Sequence, residues 1–469
     1  MIRRPLVLAL AFVLLPAVAS AEDLLQTYEL ARNGDPQLSA AESSRLATKE
    51  GAVQARAALL PTLTGSATLS KSRTTAPSFV DNSDPTNPVE VPGNLTTETT
   101  SRSYGVDLRQ MIFDRSRFTT LKSRNALSQA SDFSLESAGD SLITRTSAAY
   151  FNVLVQLETL AAAEAAETAL QKQFDYASKR LEVGLAPITD VHEARAQYDS
   201  ARANTILVRN AVEDAYQALG EITGQPIRNL KGLPDDFKPA LPEVQSAETW
   251  VQTAIDNNPS LRAKQYQVQS AEADVETARS GHWPTLYLTG GYDKSKNWTD
   301  RTFGGNTFES DSEGRGPNLG ITLSVPIFAG GATQSGVRQA LAQRDVASDE
   351  LEQQKRALVR NARNAYQTLV AGVSEVEARR LALVSARSAY EASQVGLEVG
   401  TRTVLDVLIN QQNLFTAQQA YAQAKYNYLQ NRLLLEQAAG TLDVSDVQDI
   451  NRLLTSEPAA KFEPSGGQN

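Results

Sequence analysis

Cysteine is missing from all 469 residues, and histidine occurs only twice, as His192 and His282, in dissimilar surroundings. The first absence excludes disulfides, thiolate metal sites and a lipid-modified N-terminal Cys. The second leaves no imidazole pair to hold a metal, so both histidines read as surface or packing residues. Positive charge is also short. The formal net charge is −9, whereas nucleic-acid phosphates need a basic surface. Long apolar runs are scarce: the one from Leu6 to Val18 is shorter than the ~20 residues of a spanning helix. Arg3 and Arg4 precede it and Ala19-Ser20-Ala21 follows, so residues 1–21 read as a secretory signal peptide cut before Glu22. Losing those two arginines takes the mature chain to about −11. No nucleophile, metal or phosphate motif stands out, and Gly330-Gly331 reads as a joint between strand and helix. Neither an enzymatic reaction nor a cofactor is expected.

What is present is written twice. Arg180 to Val191 reads RLEVGLAPITDV and Gly396 to Val407 reads GLEVGTRTVLDV, with Gly184 and Gly400, and Asp190 and Asp406, each 216 residues apart. Pro36 and Pro259, and Pro61 and Pro284, are 223 apart, while Ile112-Phe113 and Ile327-Phe328 are 215 apart. Such a period is too long for a solenoid, so each half is one structural unit used twice. The first repeat spans 22–235, with a helix, a strand pair in 62–113 and a helical hairpin over 115–222. The second spans 236–444, with a helix, a strand pair in 284–328 and a hairpin over 332–438. Residues 445–469 read as a disordered tail.

Within each half the apolar period switches. Leu63, Gly65, Ala67 and Leu69 alternate with Thr62, Thr64, Ser66, Thr68 and Ser70, and Leu319 to Ile327 alternate likewise, as strands with one polar face do. Polar segments at Ala76–Ser101 and Thr299–Pro317 read as long loops between the paired strands. Arg115 to Glu182 and Thr333 to Glu398 lack proline and read as helices of roughly 100 Å. After each turn a seam of apolar and small residues with four-three spacing returns, from Ala194 to Leu219 and from Val404 to Leu435. Four strands cannot close a barrel, and an open sheet edge is not viable in lipid, so several copies must share one barrel. The expected class is therefore mainly α with a β-barrel contribution.

The ordered set of motifs resembles the TolC-type outer-membrane channel proteins of Gram-negative bacteria. It comprises Glu22-Asp23-Leu24-Leu25, Leu59-Leu60-Pro61-Thr62-Leu63, Ala148 to Leu154, Ile188-Thr189-Asp190-Val191, Ala194 to Asp199 and Val399 to Thr403. The resemblance implies a homotrimer with a twelve-stranded barrel in outer-membrane lipid and a helical barrel across the periplasm. It also implies docking on a periplasmic adaptor (membrane fusion) protein and an inner-membrane transporter, to export drugs, toxins or proteins by efflux or type I secretion. The hairpin tips, Val183-Gly184-Leu185 and Val399-Gly400-Thr401, match the adaptor-contact positions. Thr189 and Asp190 match the acceptor side of the periplasmic gate, Arg402 the donor, and Asp406 a ring aspartate. This chain departs from the pattern at Ile409, where the second ring aspartate falls, and at Leu397, where a tyrosine falls. A local reading competes with the gate: Arg402 and Asp406 could pair with each other at i, i+4. For the whole protein the competing class is a periplasm-spanning tether or adhesin without transport, which leaves polar strand faces unexplained.

Overall fold

The computed structural model describes residues 23–81, 86, 89–234, 236–241 and 246–455. The expected signal peptide and residues 456–469 of the expected tail lie outside them. In the first half the order is α1 Leu24–Gly34, α2 Pro36–Ala57, β1 Thr62–Asp81, β2 Val89–Phe113, α3 Arg115–Glu182 and α4 Ile188–Thr223. The second half repeats it as α5 Ala247–Asn257, α6 Pro259–Arg279, β3 Thr285–Phe303, β4 Asn306–Ser324, α7 Ala332–Glu398 and α8 Val404–Ala439, and α9 Val444–Leu453 follows. The chain falls into two compact units. One holds Ser44–Asp132 and Ala263–Glu352, the other Met1–Ser43, Phe133–Arg262 and Gln353–Asn469.

The first of these units carries a single antiparallel sheet in the order β1-β2-β3-β4. Its register sorts the side chains by chemistry, because directly paired residues share a face. One face carries the rows Leu63–Leu108–Gly290–Leu319 and Gly65–Val106–Tyr292–Pro317, with Leu288–Ile321 and Leu286–Leu323 below. The other carries Thr64–Asp107–Gly291–Asn318, Ser66–Gly105–Asp293–Gly316 and Ser70–Ser101–Asn297–Ser312. On that polar face Asn318 donates to Asp293 at 3.1 Å and Ser101 to Asn297 at 2.6 Å. A Cβ on Gly105 would lie 2.5 Å from the Asp293 carboxylate, so glycine there lets the acid lie across β2.

The strands are longer than the apolar alternation indicates, which corrects the two expected loops. β1 continues to Asp81 and β2 starts at Val89, so most of Ala76–Ser101 is strand. β3 and β4 meet at Gly304-Gly305, with φ of 56° and 86°, leaving no loop in Thr299–Pro317. These stretches are polar on both faces and show no period of two in hydropathy. Threonines favour them, being β-branched and able to bond across strands, as Thr75 and Thr96 do at 3.3 Å. A second correction concerns the end of the strand pair: β4 stops at Ser324, because Pro326 has no N–H for a ladder.

The helical unit holds the main core, which includes Leu142, Tyr150, Leu154, Leu157, Leu219, Leu429 and Leu433. The α4 seam is buried at Ala194, Thr205, Val212, Ala215 and Leu219, as the four-three spacing indicates. In α8 burial spreads beyond the seam to Leu408, Ala422, Lys425, Tyr426, Leu429 and Leu433, so this helix is covered on more than one side. Three tyrosines fix the connection between the halves. Tyr150 Oη donates to Lys231 O and accepts from Lys231 N, both at 2.9 Å. Tyr428 donates to Ala240 O at 2.7 Å, and Tyr426 donates to Glu158 at 2.9 Å while accepting from Leu233 N at 3.3 Å. The repeat also recurs as a close approach. A Cβ on Gly34 would lie 2.4 Å from Thr223 O, and one on Gly440 would lie 2.6 Å from Asn258 Cα.

The start of the expected tail is instead α9. Asp443 and Asp446 form a capping box at its N-terminus, and Val447 and Ile450 are fully buried. Burying each stabilises by about 1.5–3 kcal/mol, and Asn451 adds bonds of 3.0 Å to Leu24 N and Asp23. Burial, followed by a hydrogen bond with Asp446 and that residue's charge, pushes Glu436 up to about 8. The folded chain thus holds a proton that the unfolded chain has released. This contribution to stability is complete below the ordinary carboxylate range and is lost as pH rises towards 8. In Glu436→Gln the melting temperature in detergent should therefore fall less than in wild type between about pH 5 and 8. Parallel profiles would place the titrating group elsewhere.

Candidate functional site

Every residue assigned to the gate and tips lies at or just after one of the two helix-to-helix turns, from α3 to α4 or from α7 to α8. Each long helix ends in the same backbone motif. Gly184 has φ of 74° and Gly400 has φ of 77°, a left-handed conformation that glycine adopts without strain. Leu185 N bonds Arg180 O at 2.8 Å and Gly184 N bonds Leu181 O at 2.9 Å. Thr401 N bonds Gly396 O at 2.8 Å and Gly400 N bonds Leu397 O at 3.2 Å, so both turns are Schellman caps. Val183 and Val399, each 68% exposed, and Leu185 present apolar side chains to solvent at these caps.

Beyond the caps the two turns differ in ways that decide which groups are free. At the start of α8, Thr403 and Asp406 form a reciprocal box. Asp406 Oδ2 accepts from Thr403 N and from Thr403 Oγ1, both at 2.9 Å, and Thr403 Oγ1 accepts from Asp406 N at 3.2 Å. The Thr403 backbone bond, its side-chain bond and the nearby Arg402 charge hold this carboxyl below the usual carboxylate range. Asp190 stands at the same third position of α4, but the cap there is Pro187, which has no side chain to share. Among the described residues its carboxylate accepts a side-chain hydrogen bond from Thr189 Oγ1 alone, at 3.5 Å.

The basic groups are exchanged between the turns as well. In the first, Arg180 lies 5.7 Å from the Tyr176 ring and donates to Leu185 O at 3.1 Å, satisfying the helix end. The matching position in the second turn is Gly396, where an added Cβ would come within 2.6 Å of Arg402 Cγ. Arg402 thus lies back over the last turn of α7, exposed. Among the described residues, no hydrogen bond or ion pair within the chain joins it to Asp190 or Asp406. The local ion pair considered from sequence is thus not made among the described residues, where Asp406 Oδ2 accepts from Thr403 and Arg402 acts on the carboxyl through its charge alone. Ile409 is exposed one turn further along α8.

Sequence reasoning overlooked Thr403, although Thr-x-x-Asp ahead of an apolar run is the signature of a capping box. It also overlooked a polar cluster in the helical unit. Lys425, 2% exposed, lies 3.3 Å from Glu158 and 5.0 Å from the Tyr421 ring. Glu158, Lys238, Arg380, Arg387 and Lys425 line a cavity of about 640 Å³ there. No group of His, Asp and Glu side chains able to hold a metal occurs among the described residues.

The model of the family described as outer membrane efflux protein matches residues 27–225 and 250–441, one segment in each half. The chain is 33% identical over 447 residues to the outer membrane protein TolC of Vibrio cholerae, covering 95% of this chain and 97% of that one. It is 28% identical over 438 residues to the alkaline protease secretion protein AprF of Pseudomonas aeruginosa, covering 93% and 88%. The outer-membrane channel CmeC of Campylobacter jejuni superposes with a TM-score of 0.73 at 20% identity, over 92% of this chain and 90% of that one.

Proposed function

Because the chain belongs to the outer membrane efflux protein family, we propose that three copies close their sheets into one twelve-stranded barrel. As a member it is an outer-membrane channel protein extending into the periplasm, the exit duct of an efflux or secretion system. One observation carries the trimer. The sheet is apolar on one face and polar on the other, yet β1 and β4 are left as open edges. Lipid can satisfy neither edge, whereas a neighbouring copy satisfies both. Two copies give a barrel narrow enough for side chains to fill; three give room for a passage.

In this reading the apolar face meets lipid and the Thr/Ser/Asn/Asp face lines a wet lumen. The turns from α3 to α4 and from α7 to α8 form the periplasmic end. Asp190, free of capping duty, accepts from Arg402 across hairpins and holds that end shut. Val183, Leu185 and Val399 offer an adaptor apolar contacts around glycine caps. The adaptor in turn connects to an inner-membrane transporter, which selects the substrate. A tether without transport gives the polar face no role.

Light scattering in mild detergent tests the assembly, with a mass of three chains expected. A monomer would sink the barrel. An epitope tag inserted between Asp81 and Val89 should be reached by antibody on intact cells, because outer-membrane barrels turn their longer loops outward. Labelling only after permeabilisation would invert the topology.

A further inference from the structure

The apolar face of the sheet changes character abruptly along the strands. Beyond the row Gly65–Val106–Tyr292–Pro317 come the rows Ala67–Tyr104–Lys294–Arg315 and Leu69–Arg102–Lys296–Glu313. Those two rows set four cations, Arg102, Lys294, Lys296 and Arg315, against the single carboxylate of Glu313. The sign is local, since the chain as a whole carries −9 and the row Arg73–Glu98–Asp300–Glu309 further out is acidic.

The cations are not equally occupied. Lys294 pairs with Glu313 at 3.1 Å, and Lys296 reaches Asp311 at 3.9 Å. Lys71 and Arg73 in the outer rows share the one carboxylate of Glu98, at 3.5 and 3.4 Å. Arg102 and Arg315 are exposed, and among the described residues neither has a carboxylate at ion-pair distance, though the Arg315 charge helps hold Glu313 below the usual carboxylate range. Arg102 bonds the Tyr104 hydroxyl and lies 5.1 Å from that ring, while Lys296 Nζ lies 4.9 Å from the Trp298 ring. Aromatic groups with one polar end collect where hydrocarbon meets water, so these rings mark the level of the belt.

We propose that this belt binds the phosphate groups of an anionic lipid in the outer leaflet, one belt per protomer. The inference rests on the barrel reading, which turns this face to lipid. Guanidinium groups bond phosphate oxygens in pairs, and their attraction grows at the edge of a low-dielectric region. Leu69 and Ala67 continue the same rows on β1, so acyl chains can lie against the strand while head groups meet the arginines. A soluble polyanion or an acidic protein would gain nothing from that apolar edge. Lipid is the occupant the geometry selects.

Native mass spectrometry of the purified assembly, offered equimolar phosphatidylglycerol and phosphatidylcholine, reads the preference directly. Wild type should retain the anionic lipid about tenfold or more over the zwitterionic one. The combined variant Arg102→Gln, Lys296→Gln, Arg315→Gln should fall to near parity. Arg301→Gln, which removes a charge from the opposite face of β3, should keep the wild-type ratio. Arg102→Lys with Arg315→Lys should keep most of it, which guards against a folding defect in the combined variant. Conductance of the same preparations separates the two readings. A conducting wild-type channel without lipid preference overturns the belt alone, and so does an unchanged ratio in the combined variant. Displacement of the lipid by an equal concentration of inorganic phosphate would also reject it, by assigning the site to a free ion.

Discussion

Arg402→Ser should leave the channel ajar. Single-channel conductance should rise, antibiotics should leak into cells that express it, and the yield of trimer should stay unchanged. The geometry makes Arg402 the group to remove. Glycine at position 396 gives its side chain room to lie along the end of α7, and among the described residues no carboxylate forms an ion pair with it. Asp190 is the acceptor in the proposed gate, since Pro187 leaves it with no capping role. A hydrogen bond between charged groups contributes about 1.5–3 kcal/mol, or roughly a tenfold to hundredfold bias towards closure for each link. In the proposed trimer the link occurs three times, so the loss is compounded. Asp190→Asn should weaken the same link and raise conductance less, since the amide still accepts a bond. Wild-type conductance in Arg402→Ser would end the assignment of both residues to the gate.

The second large effect is expected at Asp406. In the proposed trimer, three Asp406 carboxylates would meet at one level and attract cations into a narrow passage. The bonds from Thr403 hold the carboxyl below its ordinary range, the direction that opposes mutual repulsion in such a ring. The pore should therefore be cation-selective, and multivalent cations added on the periplasmic side should block it. Because Ile409 supplies no second ring, the block should be shallower than two rings would give. Asp406→Asn is the sharper variant: an amide oxygen can still accept from Thr403 N, so the α8 cap persists while the charge is lost. It should abolish most of the block. Thr403→Ala should cost about 1 kcal/mol of helix-cap stability and leave the block in place. Equal block in wild type and Asp406→Asn would put this residue away from the axis.

The long helices were legible from sequence because their signals are local. Arg115 to Glu182 contains no proline, and Gly184 stops it as Gly400 stops its counterpart. The frame of 216 residues between the hairpins also needs no structure to be seen. The strands were legible where one face is apolar, as over Thr62–Ser70 and Leu319–Leu323. Where both faces are polar, from Ser72 to Asp81 and from Arg301 to Gly316, hydropathy has no period, and only the ladder shows the strand. Short amphipathic helices fared similarly. From sequence α9 reads as tail, because its two buried residues, Val447 and Ile450, carry meaning only once α1 is packed against it.

The candidate site divides along the same line. Sequence alone determined the residue types at the turns and their equivalence, since duplication preserves spacing and a helix stop requires glycine in a left-handed conformation. Tertiary structure decided which of those residues are free to act. Asp190 and Asp406 stand at equivalent positions, yet one is bound by Thr403 and the other faces a proline with nothing to offer. Arg402 stays available because its place against the helix end is opened by Gly396, where the other turn has Arg180. The basic rows on the sheet were likewise invisible in the chain. Arg102, Lys294, Lys296 and Arg315 come from three strands, and only the antiparallel register, a set of long-range hydrogen bonds, puts their charges at one height.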